Sequence, residues 1–207
     1  MFKWLFFALI VRPTVLLIFG VHVRGREHLC VNQPRIIVAN HNSHLDTLVL
    51  ISLFPLHKIH RIRPVAAADY FMKNRLIAWF STRFIGIIPL SRKVEKSHTH
   101  PLEPLRQALE AGESIILFPE GSRGEAEQMS KFKSGVAHLA KMTPHIPIVP
   151  IYLGGAGKVL PKGEALLIPF IIDVHINEPM MIGEEEGTLE FTDRLEAVIK
   201  KAGERDV

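Results

Sequence analysis

A histidine and an aspartate five residues apart, His41 and Asp46, stand in the polar stretch Asn40-His41-Asn42-Ser43-His44-Leu45-Asp46. An imidazole that donates one ring N–H to a carboxylate is fixed in a single tautomer, and its other nitrogen is left as a base for a hydroxyl proton. The stretch follows the apolar run Ile36-Ile37-Val38-Ala39 and precedes Thr47-Leu48-Val49-Leu50-Ile51, so it reads as the corner between a buried strand and a helix. On one continuous helix, side chains five residues apart diverge; at a corner the imidazole folds back over the first helical turn. Ser43 and Asp46 also have the spacing of a capping box, so a plain helix cap beside ordinary loop histidines is the competing reading. A dyad of this kind brings no nucleophile of its own. Its substrate has to supply the hydroxyl.

Two further polar clusters indicate what that substrate carries. Gly86-Ile87-Ile88-Pro89-Leu90-Ser91-Arg92 reads as a short strand delivering Arg92 into a loop. Ser114-Ile115-Ile116-Leu117-Phe118 reads as a buried strand running into the turn Pro119-Glu120-Gly121-Ser122-Arg123-Gly124. Guanidinium groups suit phosphate because their planar fork donates two hydrogen bonds at once. A base with two arginines therefore implies a phosphorylated alcohol as acceptor. Glu120 is read as hydrogen-bonding a substrate hydroxyl or holding an arginine in place, with Gly121 permitting close backbone approach. Lys131 and Lys133, flanking Phe132, are cations that can meet the phosphates of a ligand or stand on a solvated helix start.

These residues need a scaffold that gathers them, and the pattern supplies one. Strand candidates at 21–26, 35–39, 59–67, 86–92, 114–118, 146–153 and 168–176 are separated by helix candidates after Asp46, over 70–84, 102–111 and 131–141, with a last amphipathic helix capped by Thr192. The expected fold is α/β, a single-domain mixed sheet flanked by helices, with the clusters in the crevice at the strand ends. Residues 1–20 read as an N-terminal apolar membrane-anchoring segment and 21–207 as the catalytic domain. The anchor has two apolar runs split by Arg12-Pro13. Trp4 to Val11 would extend only about 12 Å as a helix against a hydrocarbon core of about 30 Å, so entry into one leaflet is expected rather than a span. A single tilted span and a cleaved leader are the weaker alternatives.

Composition agrees with a membrane surface. The 207 residues are 47% hydrophobic with a formal net charge of +4. Basic residues alternate with Trp, Phe, Ile and Leu instead of forming the bare basic stripe of a nucleic-acid binder. The 70–84 segment, with Trp79, Phe80, Phe84, Lys73, Arg75 and Arg83, reads as an interfacial helix. The one cysteine, Cys30, rules out an internal disulfide framework. His98 and His100 have only Glu103 nearby, which is too few ligands for a metal site.

The blocks Asn40-His41 to Asp46, Gly86 to Arg92, Phe118 to Arg123 and Val149-Pro150-Ile151, in that order and spacing, resemble the four motifs of the glycerolipid acyltransferase family. That family includes 1-acylglycerol-3-phosphate acyltransferases, and the likeness runs from about residue 20 to 180. It implies His41 as general base, Asp46 as its orienting partner, and Arg92, Glu120, Gly121, Ser122 and Arg123 as the site for the acceptor. Ser122 stands where many members have Thr. The implied reaction moves a fatty acyl group from acyl-CoA or acyl-carrier protein to a lysophospholipid hydroxyl, with no cofactor and no metal. Oxyanion stabilisation by backbone amides near the helix start is expected. Membrane association at the cytoplasmic face of the inner (plasma) membrane is the expected location. Glu125 and Glu127, just past the acceptor motif, keep other lyso-lipids such as lyso-ornithine lipid in view, and a non-catalytic membrane-binding scaffold is the reading from another class.

Overall fold

Strands β2 (Ile36–Ala39), β5 (Ser114–Leu117) and β6 (Ile148–Gly154) are nearly continuous runs of Ile, Val and Leu, as expected of strands covered on both faces. In the computed structural model they form the centre of a seven-stranded sheet. Beyond β6 lie β7 (Ile172–Ile176) and β1 (Val21–Arg24); beyond β5 lie β3 (Ile62–Ala67) and β4 (Ile88–Leu90). The order is β1-β7-β6-β2-β5-β3-β4, parallel throughout except for β6 with β7. The mixed sheet expected from the sequence is therefore present. The structure describes residues 2–15, 20–29, 32–43, 45–68, 74–91, 100–122, 128–156 and 171–204.

Side-chain alternation along the strands feeds two cores. One face, with Ile37, Ile116, Val149 and Ile151, packs against helix α1 and against α2 (Leu45–Ser52). Helix α1 consists of the α-helical Phe2–Phe6, a π-helical turn Phe7–Val11, and the α-helical Arg12–Thr14. The opposite face, with Ile36, Ile115 and Ile148, is covered by α4 (Glu103–Glu110), α5 (Gly135–Met142) and α6 (Thr188–Gly203). Helix α3, comprising Arg75–Phe80 and the π-helical Ser81–Ile85, lies between β3 and β4 in the chain.

Three sequence expectations are corrected. Arg12-Pro13 does not interrupt the N-terminal helix. The Arg12 amide donates to the Phe7 carbonyl, and this widened turn fits a proline that lacks an N–H and presses on the carbonyl four residues back. Lys131 to Ser134 are not helical, because the Phe132 amide donates to Glu196 Oε2 at 2.8 Å and the Lys133 amide to the Pro119 carbonyl at 3.0 Å, and α5 starts only at Gly135. Thr192 does not cap the last helix, which begins at Thr188. Glu190 Oε2 accepts from the Gly187 amide, while the Thr192 hydroxyl donates to the Thr188 carbonyl within the helix.

Helix α1 is part of the body, not an appendage. Phe7, Val11 and Val15 are buried in the first core, and Lys3 Nζ donates to the Ile62 carbonyl at 2.5 Å. The outward side of α1 joins α3 through Phe2–Phe84 (5.8 Å), Phe6–Phe80 (5.4 Å) and Phe6–Phe84 (5.8 Å) ring contacts, with the Arg83 guanidinium 5.3 Å over Phe2. Together the two helices present Trp4, Leu9, Ile10, Leu76, Ile77 and Trp79 to the outside. Among the described residues, no helix is long and apolar enough to cross a membrane.

Candidate active site

The carboxyl ends of the adjacent strands β2 and β5 open into two neighbouring loops, and the dyad is built where they meet. Asn40 starts the first loop by prolonging the sheet with its side chain: Nδ2 donates to the Leu153 carbonyl at 2.8 Å, and Oδ1 accepts from the Leu153 amide at 2.7 Å. This side-chain rung pins the chain one residue before His41. Helix α2 then begins at Leu45, with the Leu45 amide on Ser43 Oγ (3.3 Å) and the Asp46 amide on the Ser43 carbonyl (3.1 Å). The corner folds back as the spacing requires, and His41 Nδ1 lies 2.9 Å from Asp46 Oδ2.

Asp46 does two tasks with one oxygen. Oδ2 accepts from the Asn42 amide (2.7 Å), the Ser43 amide (2.8 Å) and His41 Nδ1. Oδ1 is buried and accepts no hydrogen bond among the described residues. The acceptor for the corner amides and the acceptor for the imidazole are thus the same atom. The Asp46 side chain is fully buried while that of His41 keeps 17% of its exposure. With Nδ1 donating to the carboxylate, Nε2 carries the lone pair, so the ring has the tautomer of a base. The Phe118 ring stacks on the imidazole with centroids 4.1 Å apart and planes 20° from parallel.

Glu120 belongs to the same arrangement. Its residue is 4% exposed, with Oε1 accepting from the His41 amide at 2.8 Å and Oε2 from the Ser130 amide at 3.0 Å. Burial pushes its pKa up, and the amides of Ser130 and His41 oppose that rise by stabilising the carboxylate. Gly121 holds φ +76°, closing a turn through its amide bond to the Phe118 carbonyl at 3.0 Å. A methyl group there would stand 2.7 Å from Lys133 Nζ, so the lysine ammonium lies directly against the glycine.

The structure therefore brings His41, Asp46, Glu120 and Gly121 together, with Ser122 in the same turn. Arg92 and Arg123 lie outside the described residues, as do His44, Glu125 and Glu127. Among the described residues, the amides of Asn42, Ser43, Leu45 and Asp46 bond within the corner. Among the described residues, no group of three or more His, Cys, Asp or Glu is placed to hold a metal ion. Sequence reasoning missed the parts played by Asn40, Phe118 and Ser130. Phe118 read as the last residue of a strand, and Ser130 reaches Glu120 chiefly through its backbone amide, which carries no residue-type signal. Lys133 was visible as a cation, but its contact with the Gly121 turn was not.

Comparison with known proteins bears on the chemistry. A family model described as Acyltransferase matches residues 20–154. A chloroplastic 1-acyl-sn-glycerol-3-phosphate acyltransferase of Brassica napus is 31% identical over 164 residues, covering 78% of this chain and 45% of that protein. A probable 1-acyl-sn-glycerol-3-phosphate acyltransferase of Mycoplasma pneumoniae is 28% identical over 142 residues, covering 66% of this chain and 52% of the other. The chain thus spans about half the length of these curated relatives. Among solved structures, the 1-acyl-sn-glycerophosphate acyltransferase of Thermotoga maritima superposes with a TM-score of 0.76 at 23% identity, over 94% of this chain and 75% of that one, which shows a shared fold.

Proposed function

The chain belongs to the acyltransferase family, and from that premise we propose that it moves a fatty acyl group from a thioester donor, acyl-CoA or acyl-carrier protein, to the free hydroxyl of a lysophospholipid. The acceptor is 1-acylglycerol 3-phosphate and the product phosphatidic acid, the reaction for which the relatives above are named. The observation that carries the reading is the 2.9 Å bond from His41 Nδ1 to a carboxylate oxygen already held by two backbone amides.

In this reading His41 Nε2 takes the proton of the acceptor hydroxyl as that oxygen attacks the thioester carbonyl carbon. The new C–O bond gives a tetrahedral oxyanion. Its collapse breaks the C–S bond, and the thiolate leaves with the proton that the imidazolium returns. Asp46 stabilises the imidazolium in between. General-base help of this kind is worth about 10²- to 10⁴-fold, or about 3 to 5.5 kcal/mol of barrier. The acceptor phosphate is received by Arg92, Arg123 and Lys133, and Lys133 Nζ lies against Gly121. Gly121 and Ser122 line the approach.

The continuous outer surface of α1 and α3 supports membrane attachment through one leaflet. Trp4, Trp79 and the aliphatic side chains around them enter the bilayer, with Arg75 and Arg83 at the headgroups. The location that goes with this reading is the cytoplasmic face of the inner (plasma) membrane, where both classes of donor are found.

The test is a thioester-release assay with a thiol reagent, run with both donors against 1-acylglycerol 3-phosphate, neutral lysophospholipids and lyso-ornithine lipid. Release is expected to depend on 1-acylglycerol 3-phosphate and to vanish in a folded His41→Ala variant. Preference for lyso-ornithine lipid would reassign the acceptor. Folded wild-type protein that releases no thiol from either donor with any of these acceptors would instead support the non-catalytic scaffold.

A further inference from the structure

We propose that Glu120 is a positioning residue that clamps the base-bearing loop to the segment carrying Lys133, and that it does not bind the acceptor. The inference rests on the acyl-transfer reading above and deepens it. It runs against the role that the motif resemblance gives this residue.

The geometry leaves the carboxylate little to offer a substrate. Oε1 and Oε2 each accept a backbone amide, from His41 across 79 residues of chain and from Ser130 across 10. The residue is 4% exposed, so neither oxygen faces the crevice as an acceptor ligand would. What the two bonds do is join three pieces: the loop after β2, the turn after β5, and the irregular segment 128–133. That segment is fixed again through the Lys133 amide on the Pro119 carbonyl, with Lys133 Nζ resting on Gly121.

The chemistry of the two donors explains why a carboxylate stands here. Two N–H groups reach this side chain from different segments, one at each oxygen, so both ends of the group have to be acceptors where they stand. A glutamine would turn its own NH₂ toward one of them and leave a buried donor without an acceptor. An aspartate would keep the charge but be about 1.5 Å short, one C–C bond length by standard covalent geometry. The same β5 turn supplies Phe118 against the imidazole face. His41 is therefore held at three points: its ring nitrogen by Asp46, its ring face by Phe118, and its main chain by Glu120. Base catalysis is steep in position, and misplacement by about 1 Å costs up to about 10²-fold.

The experiment compares wild type with Glu120→Gln and Glu120→Asp in detergent micelles, measuring kcat, the KM for 1-acylglycerol 3-phosphate, and amide hydrogen exchange resolved at His41 and Ser130. The expected result is a kcat lowered at least about tenfold with acceptor KM within about twofold, no rescue by the aspartate, and faster exchange at both amides together. A KM raised tenfold or more at unchanged kcat, with both amides still protected, would overturn the clamp and restore acceptor binding. If neither variant can be purified, exchange in the wild type decides: slow exchange at both amides supports the clamp, and rapid exchange at either one overturns it. Absence of any transfer by folded wild type would defeat the functional reading alone, because the exchange measurement needs no turnover.

Discussion

Asp46→Asn separates the two tasks that one oxygen performs. The substitution is isosteric. With the amide oxygen in the place of Oδ2, the Asn42 and Ser43 amides and His41 Nδ1 keep an acceptor. The new NH₂ then occupies the place of Oδ1, which is buried and accepts nothing among the described residues. One buried donor without a partner costs about 1 to 3 kcal/mol, so the variant is expected to fold with a lowered melting temperature. The catalytic loss is larger. An imidazolium and a carboxylate with charge centres about 4 Å apart attract by about 4 kcal/mol at an effective dielectric near 20, and removing the charge forfeits that stabilisation where the imidazolium forms. At 1.36 kcal/mol per decade this is about a 10³-fold fall in kcat. Thiol release measured beside a thermal melt checks both figures. A folded Asp46→Asn protein with activity within tenfold of wild type would refute the dyad and leave Asp46 a helix cap. Asp46→Ala should be less stable than Asp46→Asn, because it orphans both backbone amides.

Asn40→Ala removes the side-chain rung to Leu153; it should lower the melting temperature by about 2 to 4 °C per kcal/mol lost, with about 1 to 3 kcal/mol expected, and an unchanged melt would dismiss the rung. Lys133→Ala should raise the KM for 1-acylglycerol 3-phosphate while leaving kcat nearly unchanged, and an unaltered KM in steady-state assays would take Lys133 out of the acceptor site. Burial, aided by the Arg63 guanidinium and opposed by Glu113, pushes the Lys3 ammonium down to about 7. The unfolded chain then binds the proton more tightly between about pH 7 and pH 10, so stability should rise with pH across that window and lie flat below it. Thermal melts at pH 7 and pH 9 should show the rise in wild type and its loss in Lys3→Met; an equal rise in the variant would trace it to another group.

Much of the fold was legible because it is written in short-range pattern. Runs of β-branched residues placed β2, β5 and β6 within a residue or two, and a His-x4-Asp spacing at a strand-to-helix corner was enough to predict that the imidazole folds back onto the carboxylate. Local pattern failed where a distant group took over an amide. The Phe132 amide is bound by Glu196, 64 residues away, and the helix expected from Lys131 starts later as a result. Helix α6 begins earlier than a Thr192 cap implies for a local reason that the sequence also contains, a Glu190 able to reach back to Gly187.

The sequence by itself determined the reactive pair, the order of the motif blocks, and the two greasy basic segments, since residue type and spacing carry that information without any fold. Tertiary structure alone decided how they combine. It joined the segments at 2–15 and 75–85 into one outer surface through contacts between Phe2, Phe6, Phe80 and Phe84. It gave Asp46 a single oxygen that accepts from both corner amides and from the imidazole. It also set Glu120 on the amides of His41 and Ser130. A carboxylate binds whichever donors the fold brings within 3 Å, and the donors here are backbone N–H groups, which every residue except proline carries and no sequence pattern distinguishes.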